Sequence, residues 1–184
     1  MTQNFNSPDF AYNKFYRFAD FSYNCIVKIL ESDELIWKLL KDTTADAWNI
    51  PNLTYEEKTS LIYSGQEDSS LYRVFMDTRN DSVFTREECI LRISPYKIVP
   101  RNRTTGSVIM GMETYAHYKV NTLSNYKTRI GMITQKLIEV FNGTNIDGLG
   151  VLYFDYLRDQ GDFTTPSGTV PTPGYITYFT TNVG

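Results

Sequence analysis

Histidine is almost missing from this chain: among 184 residues His117 stands alone, and cysteine occurs twice, at Cys25 and Cys89. One histidine and two distant cysteines do not have the ligand spacing of a zinc site. Neither cysteine has a reactive context, so both read as small buried hydrophobes, and no G-x-S-x-G elbow is present. Gly143, Gly148 and Gly150 miss the phosphate-cradling spacings and lead into a strand rather than a helix. Asp155, Asp159 and Asp162 surround a glycine-containing turn, but their spacing fits no EF-hand loop. Glu56-Glu57 and Glu87-Glu88 are neighbours in sequence, the pattern of a solvated face rather than of a glycosidase pair. The chain is therefore expected to be no enzyme and to carry no catalytic residue, metal or cofactor. The one catalytic alternative would centre on His117 with Glu113.

Basic charge is also scarce. The formal net charge is −3, without the basic patch that a duplex-binding protein uses to displace counterions. Lys97, Arg101 and Arg103 are the densest basic group and fall around a hairpin turn. No apolar run approaches the ~18 residues of a membrane helix, so no membrane contact is expected. The start, MTQNFNSPDF, lacks a basic segment followed by an apolar one, so no signal peptide is expected and the setting reads as cytoplasm.

Aromatic residues, by contrast, are plentiful: 14 Tyr, 11 Phe and 2 Trp. Tyrosine suits interfaces, because its ring is large and stiff and its hydroxyl tolerates water. The most patterned stretch is Ser107–Asn121, SVIMGMETYAHYKVN. Val108, Met110, Met112, Thr114, Ala116, Tyr118 and Val120 alternate with Ile109, Gly111, Glu113, Tyr115, His117, Lys119 and Asn121. Alternation over this length predicts one long antiparallel strand with one packed and one wet face.

Other elements follow from periodicity and punctuation. Residues 20–41 carry apolar residues at helical spacing, interrupted at Ser32-Asp33. Thr54-Tyr55-Glu56-Glu57 is a capping box and opens a short helix that stops before Gly65. Strands are expected over 71–77 and 89–99, the second bent or at an edge near Pro95. A loop over 100–106 then makes 89–121 one long hairpin. Ser124 is expected to cap a helix with the stripe Tyr126, Ile130, Ile133, Leu137 and Phe141, ended by Asn142-Gly143. A strand over 151–158, a loop over 159–173 and a strand over 175–182 complete the chain. The expected fold is α+β: an antiparallel sheet with a long β-hairpin and helices packed on one face. Residues 1–65 read as a helical N-terminal extension and 66–184 as the α+β domain, together one compact unit.

The ordered segments RVFMD, ECILRISPYKIV, SVIMGMETYAHYKVN, NYKTRIGMITQKLIEVF, GVLYFDYLRD and YITYFTT resemble, in element order, the tail-terminator (minor tail protein U) family of long-tailed bacteriophages. ISPYKIVPRNRTTG and IYSGQEDSSLYRVF are similar to segments of phage neck proteins. The resemblance implies a structural virion protein that forms a hexameric ring at the neck, ends the tail tube and joins it to the head connector. Partners would be further copies, the tail tube and connector proteins, with DNA only in transit through an acidic lumen. The protein would be assembled in the host cytoplasm and located in the virion neck. In that setting Lys97, Arg101, Arg103, Tyr115, Lys119, Phe163 and Val170 are the expected interface residues. Phe163 and Val170 enter because they are the apolar residues of an otherwise polar loop. The alternative is a carbohydrate- or protein-binding module, of adhesin or baseplate type, working through tyrosine-rich surfaces.

Overall fold

A computed structural model of the chain describes residues 20–65, 71–76, 86–100, 106–147, 149–159, 163–165, 168–170 and 173–183. The expected helical run is divided where Ser32 and Asp33 predicted: α1 is Phe21–Ser32 and α2 is Leu35–Lys41. The Asp33 carboxylate accepts the Ile36 N–H at 2.7 Å and so starts α2. The Trp37 indole donates to the Ile29 carbonyl and holds α2 against α1. Thr54 and Glu57 form the reciprocal capping box ahead of α3, Tyr55–Thr59.

The sheet has six strands: β1 Val74–Phe75, β2 Cys89–Pro100, β3 Gly106–Ala116, β4 Thr144–Ile146, β5 Gly150–Asp159 and β8 Gly174–Val183. Their spatial order is β1-β2-β3-β8-β5-β4. All neighbours are antiparallel except β1 and β2, which run parallel. Two further strands, β6 Phe163–Thr165 and β7 Gly168–Val170, pair only with each other. The expected loop over 159–173 therefore contains a small hairpin.

The long strand is shorter than the alternation suggested. β3 ends at Ala116, and Tyr118–Asn121 turn into a single helical turn, α4, whose N-cap is His117. Beyond Ala116 the alternation of Tyr118 and Val120 with Lys119 and Asn121 is coincidental. Within β3 the faces are as read: Val108, Met110, Met112, Thr114 and Ala116 are all buried beneath the helices. The opposite face is not uniformly wet, since Gly111 and Tyr115 are buried too.

The last helix, α5, spans Arg129–Phe141 and is capped by Thr128, whose hydroxyl accepts the Gly131 N–H. Ser124 does not cap it; it binds the Trp48 indole and the Asp46 carboxylate instead. Tyr126 leaves the stripe altogether: it has φ 62° and is 98% exposed. Ile130, Ile133, Leu137 and Phe141 do form the buried stripe, each worth about 1.5–3 kcal/mol on full burial. They join α1, α2 and the inner sheet face in one apolar cluster that contains Phe21, Ile36, Trp37, Leu91, Met110 and Phe179.

Arg129 lies wholly inside this core without a carboxylate partner among its hydrogen bonds. Its guanidinium donates to the carbonyls of Val120, Leu39, Asp42 and Thr44 at 2.5–2.8 Å. The carbonyls of Leu39 and Asp42 belong to the C-terminal end of α2, where the helix dipole favours a cation. Burial lowers the guanidinium's pKa, the cost of placing this charge here.

Candidate assembly surface

The outer face of the sheet carries the tyrosines. Toward β1, Phe75, Ile90 and Tyr115 form a second, small apolar cluster covered by Tyr63 and Tyr72. Arg92 lies over the Tyr115 ring at 5.8 Å. The Tyr115 hydroxyl donates to Glu113 at 2.8 Å, and burial followed by the Glu113 charge pushes the phenol pKa upward.

Further across the sheet, Tyr96, Tyr178 and Tyr156 make a row spanning β2, β8 and β5. Tyr96 meets Tyr178 edge-on at 4.9 Å, and Tyr156 stacks on Tyr178 at 4.4 Å. The row crosses β3 at Gly111, which pairs with both Ser94 and Tyr178. A Cβ at this position would meet Tyr96 and Ile176 at 3.6 and 3.7 Å, ordinary contact distances. Burial, followed by Tyr96 and Tyr156, pushes the Tyr178 phenol up to about 12.

The two ends and two edges of the sheet differ. The ladder pairs Pro100 with Gly106 and Gly106 with Val183 at one end, and Cys89 with Ala116 and Tyr115 with Gly174 at the other. The β2–β3 connection and the β6–β7 hairpin therefore lie toward opposite ends of the sheet. Across the sheet, the β1 edge is closed: Tyr63 donates to the Val74 carbonyl, and Arg73 and Val74 both donate to Leu61.

The β5 edge is covered only over its first residues, where β4 pairs with Gly150–Leu152. Asn142 then accepts the Phe154 N–H at 3.0 Å. From Tyr156 onward no described strand pairs with the outer side of β5. Here Tyr153, Phe154, Tyr156 and Leu157 are 56%, 37%, 44% and 43% exposed. Tyr153 and Tyr156 share the outer face with Thr180 and Tyr178, whereas Phe154 and Leu157 pair with Phe179 and Thr177 on the helix side. This half of β5 thus extends beyond the helix layer with apolar side chains on both faces.

The expected interface residues are dispersed by this architecture. Lys97 is exposed on β2 beside the turn, just after a bulge between Pro95 and Lys97. Pro95 is tolerated because β1 reaches only Leu91 and Arg92, which leaves the later part of β2 at an edge. Arg101 and Arg103 lie outside the described residues. Phe163 and Val170 are directly paired across the β6–β7 hairpin at the other end of the sheet. Tyr115 packs inside its own subunit, and Lys119 lies on α4 rather than on the strand, ion-paired with Glu87.

His117 caps α4 by accepting the Lys119 N–H, and Glu113 accepts from Tyr115, so each has a structural partner. The thiols of Cys25 and Cys89 are pushed up to about 12 by burial. Asp162 of the acidic group lies outside the described residues. No helix among the described residues is long and apolar enough to cross a membrane. The β5 overhang escaped sequence reasoning because YFDYL is apolar on both parities, the usual mark of a strand buried on both faces. The interleaved Asp155, Arg158 and Asp159 are the signal of an edge.

The sheet is thus covered at Leu91 and Arg92 by β1, and along β5 it carries exposed apolar side chains on both faces. A family model described as YomW matches residues 33–168. The chain belongs to that family, which is phage-derived and of SPBeta-like prophage type. No curated protein and no solved structure matches the chain.

Proposed function

We propose that this phage protein is a structural component of the virion neck, a ring that ends the tail tube and joins it to the head connector. The observation that carries the reading is the two-ended subunit. The β2–β3 connection at one end of the sheet and the β6–β7 hairpin toward the other give the subunit unlike ends, and heterologous contact between unlike surfaces closes into rings. Charge favours the same pairing: the turn that follows Lys97 carries Arg101 and Arg103, whereas the stretch leading into β6 carries Asp159 and Asp162. Phe163 and Val170 supply the apolar anchors of that contact. The net acidic chain also suits a lumen that DNA traverses, because it offers no counterion-release gain.

The binding-module reading rests on the same tyrosines. It is the weaker reading, because Tyr156 and Tyr178 stack on each other and leave only one face of Tyr156 for a sugar ring.

The test is absolute mass by light scattering across concentration and salt, with negative-stain imaging of large species. Rings of one stoichiometry that dissociate at high salt support the proposal. A monomer at every concentration, coupled with absence from purified virion necks, overturns it.

A further inference from the structure

We infer that the turn between α4 and α5 is a recognition element for another protein, with Tyr126 as its anchor. The segment it fits is acidic and carries one aliphatic side chain. The inference concerns the helix layer and rests neither on the ring nor on the sheet edges.

The backbone of the turn is the first observation. Tyr126 has φ 62°, and among the described residues it is the only non-glycine residue with positive φ. That region suits glycine or asparagine, and a bulky aromatic residue there is an outlier that costs stability. Burial does not offset the cost, since Tyr126 is 98% exposed. The turn is also held in place. Thr122 and Thr128 bridge its base, Leu123 donates to the Lys127 carbonyl, and Tyr126 donates to the Leu123 carbonyl. Outside the turn, the Ser124 N–H donates to the Ala45 carbonyl and the Ser124 hydroxyl accepts from the Trp48 indole. The Asn125 amide donates to the Met132 sulfur. A costly backbone that presents a whole aromatic ring from a fixed turn is a preorganised contact, because little freedom is lost when the ring is covered.

The surroundings identify the occupant. A hollow of about 100 Å³ lies beside the turn, lined by Leu35, Lys127, Met132, Gln135 and Lys136. It is smaller than the cavity of about 150 Å³ that takes a benzene ring, so it suits one aliphatic side chain rather than an aromatic one. Leu35 and Met132 supply its apolar wall. Of its two cations, Lys136 is already paired with Glu139. Lys127 is exposed, and no carboxylate of the described residues pairs with it. One apolar hollow beside one uncompensated cation matches an aliphatic side chain with a carboxylate next to it. The Tyr126 ring then closes over the backbone that joins the two, the role in which tyrosine carries much of an interface's affinity.

The test is a titration of the full chain with a synthetic peptide that holds one leucine between two aspartates, followed by NMR at the Met132 methyl. A peptide with lysines in place of the aspartates is the control. The acidic peptide should bind about tenfold tighter than the control, and Lys127→Glu should reverse that preference. Tyr126→Gly should weaken binding about tenfold or more and yet unfold at a higher urea concentration than wild type, because glycine relieves the turn. A structural tyrosine would give the opposite change in stability, so a destabilised Tyr126→Gly overturns the inference. Equal affinity for the two peptides overturns it, as does the absence of any shift with the acidic peptide at about 1 mM. Self-association of the chain that Tyr126→Gly abolishes, read by light scattering, also overturns it, since the occupant would then be a second copy. Rings that persist in Tyr126→Gly leave the inference intact, and a chain that forms no rings does so as well.

Discussion

The two edges of the sheet solve the same problem in opposite ways. At the β1 edge the chain covers itself: Leu61–Tyr63 bond to β1, Phe75 is buried beneath tyrosines, and Arg73 reaches the Glu88 carboxylate at 3.1 Å. At the β5 edge, Tyr153, Phe154, Tyr156 and Leu157 are part-exposed, and beyond the Asn142 bond to the Phe154 N–H no described strand lies beside them. Both edges are rich in aromatic residues, so composition does not separate them. What separates them is coverage by a third segment, which bonds to β1 but has no described counterpart along the later part of β5.

The largest expected effect sits on the covered side. Arg129→Met keeps the stem of the side chain but leaves the carbonyls of Leu39, Asp42, Thr44 and Val120 without their donor inside the core. Each buried group left unsatisfied costs about 1–3 kcal/mol, so the variant should lose about 3 kcal/mol or more in urea unfolding. A loss under about 1 kcal/mol would mean that water reaches this end of α2 and replaces the guanidinium.

A leucine pair tests the contrast directly. Leu137, fully buried on α5, should cost about 2–5 kcal/mol when changed to alanine. Leu157→Ala on the part-exposed strand should change stability by no more than about 0.5 kcal/mol. The comparison breaks if Leu157→Ala destabilises the monomer as strongly as Leu137→Ala, because β5 would then be part of the core.

Much of this architecture could be read from the residues, and its limits have physical causes. The capping box at Thr54, the break at Ser32-Asp33 and the Ile130–Phe141 stripe depend on neighbours within one or two turns, and sequence carries such information well. The end of β3 does not: alternation continues past Ala116, but the His117 side chain caps a helical turn and the backbone leaves the sheet. The burial of Tyr115 and the exposure of β5 are harder still. Tyr115 is buried because Phe75 and Tyr72 arrive from a distant segment, and β5 is exposed because the helix layer ends short of it. Neither fact resides in the local pattern. The phage association rests on the family match over residues 33–168, because element order by itself does not define a family.

Two glycines of the sheet sharpen the comparison at smaller amplitude. At Gly174 an added Cβ would sit 2.5 Å from the Tyr115 ring and 3.1 Å from the Thr114 carbonyl. Tyr115 is held in its cluster, so Gly174→Ala should cost about 1–3 kcal/mol. At Gly111 the nearest atom would be 3.6 Å away, an ordinary contact, so alanine should be tolerated within about 0.5 kcal/mol. Thermal unfolding of the two variants side by side decides the matter. Equal losses would show that the tyrosine row over Gly111 is as tightly packed as the cluster around Tyr115.

The smallest effect is a pH dependence at the closed edge. Burial raises the Glu88 carboxyl above its usual range, and Arg73 and Arg86 only partly offset this. The folded protein therefore holds this proton more tightly than the unfolded chain does. The resulting stabilisation is complete below the unfolded carboxyl pKa, about 4.3, and is lost as pH rises through the higher folded value. Glu57, Glu87 and Glu139 are shifted the other way by Lys41, Lys119 and Lys136, so their stabilisation is present above the unfolded value and lost on acidification. Those pairs are solvent-exposed and screened, which makes their slope shallow. Glu88→Gln, which removes the buried titration alone, should gain stability relative to wild type as pH is raised from about 4 to 7 in urea unfolding. The opposite drift would mean that attraction to Arg73 outweighs the burial of Glu88, and that the closed edge is held by charge rather than by coverage.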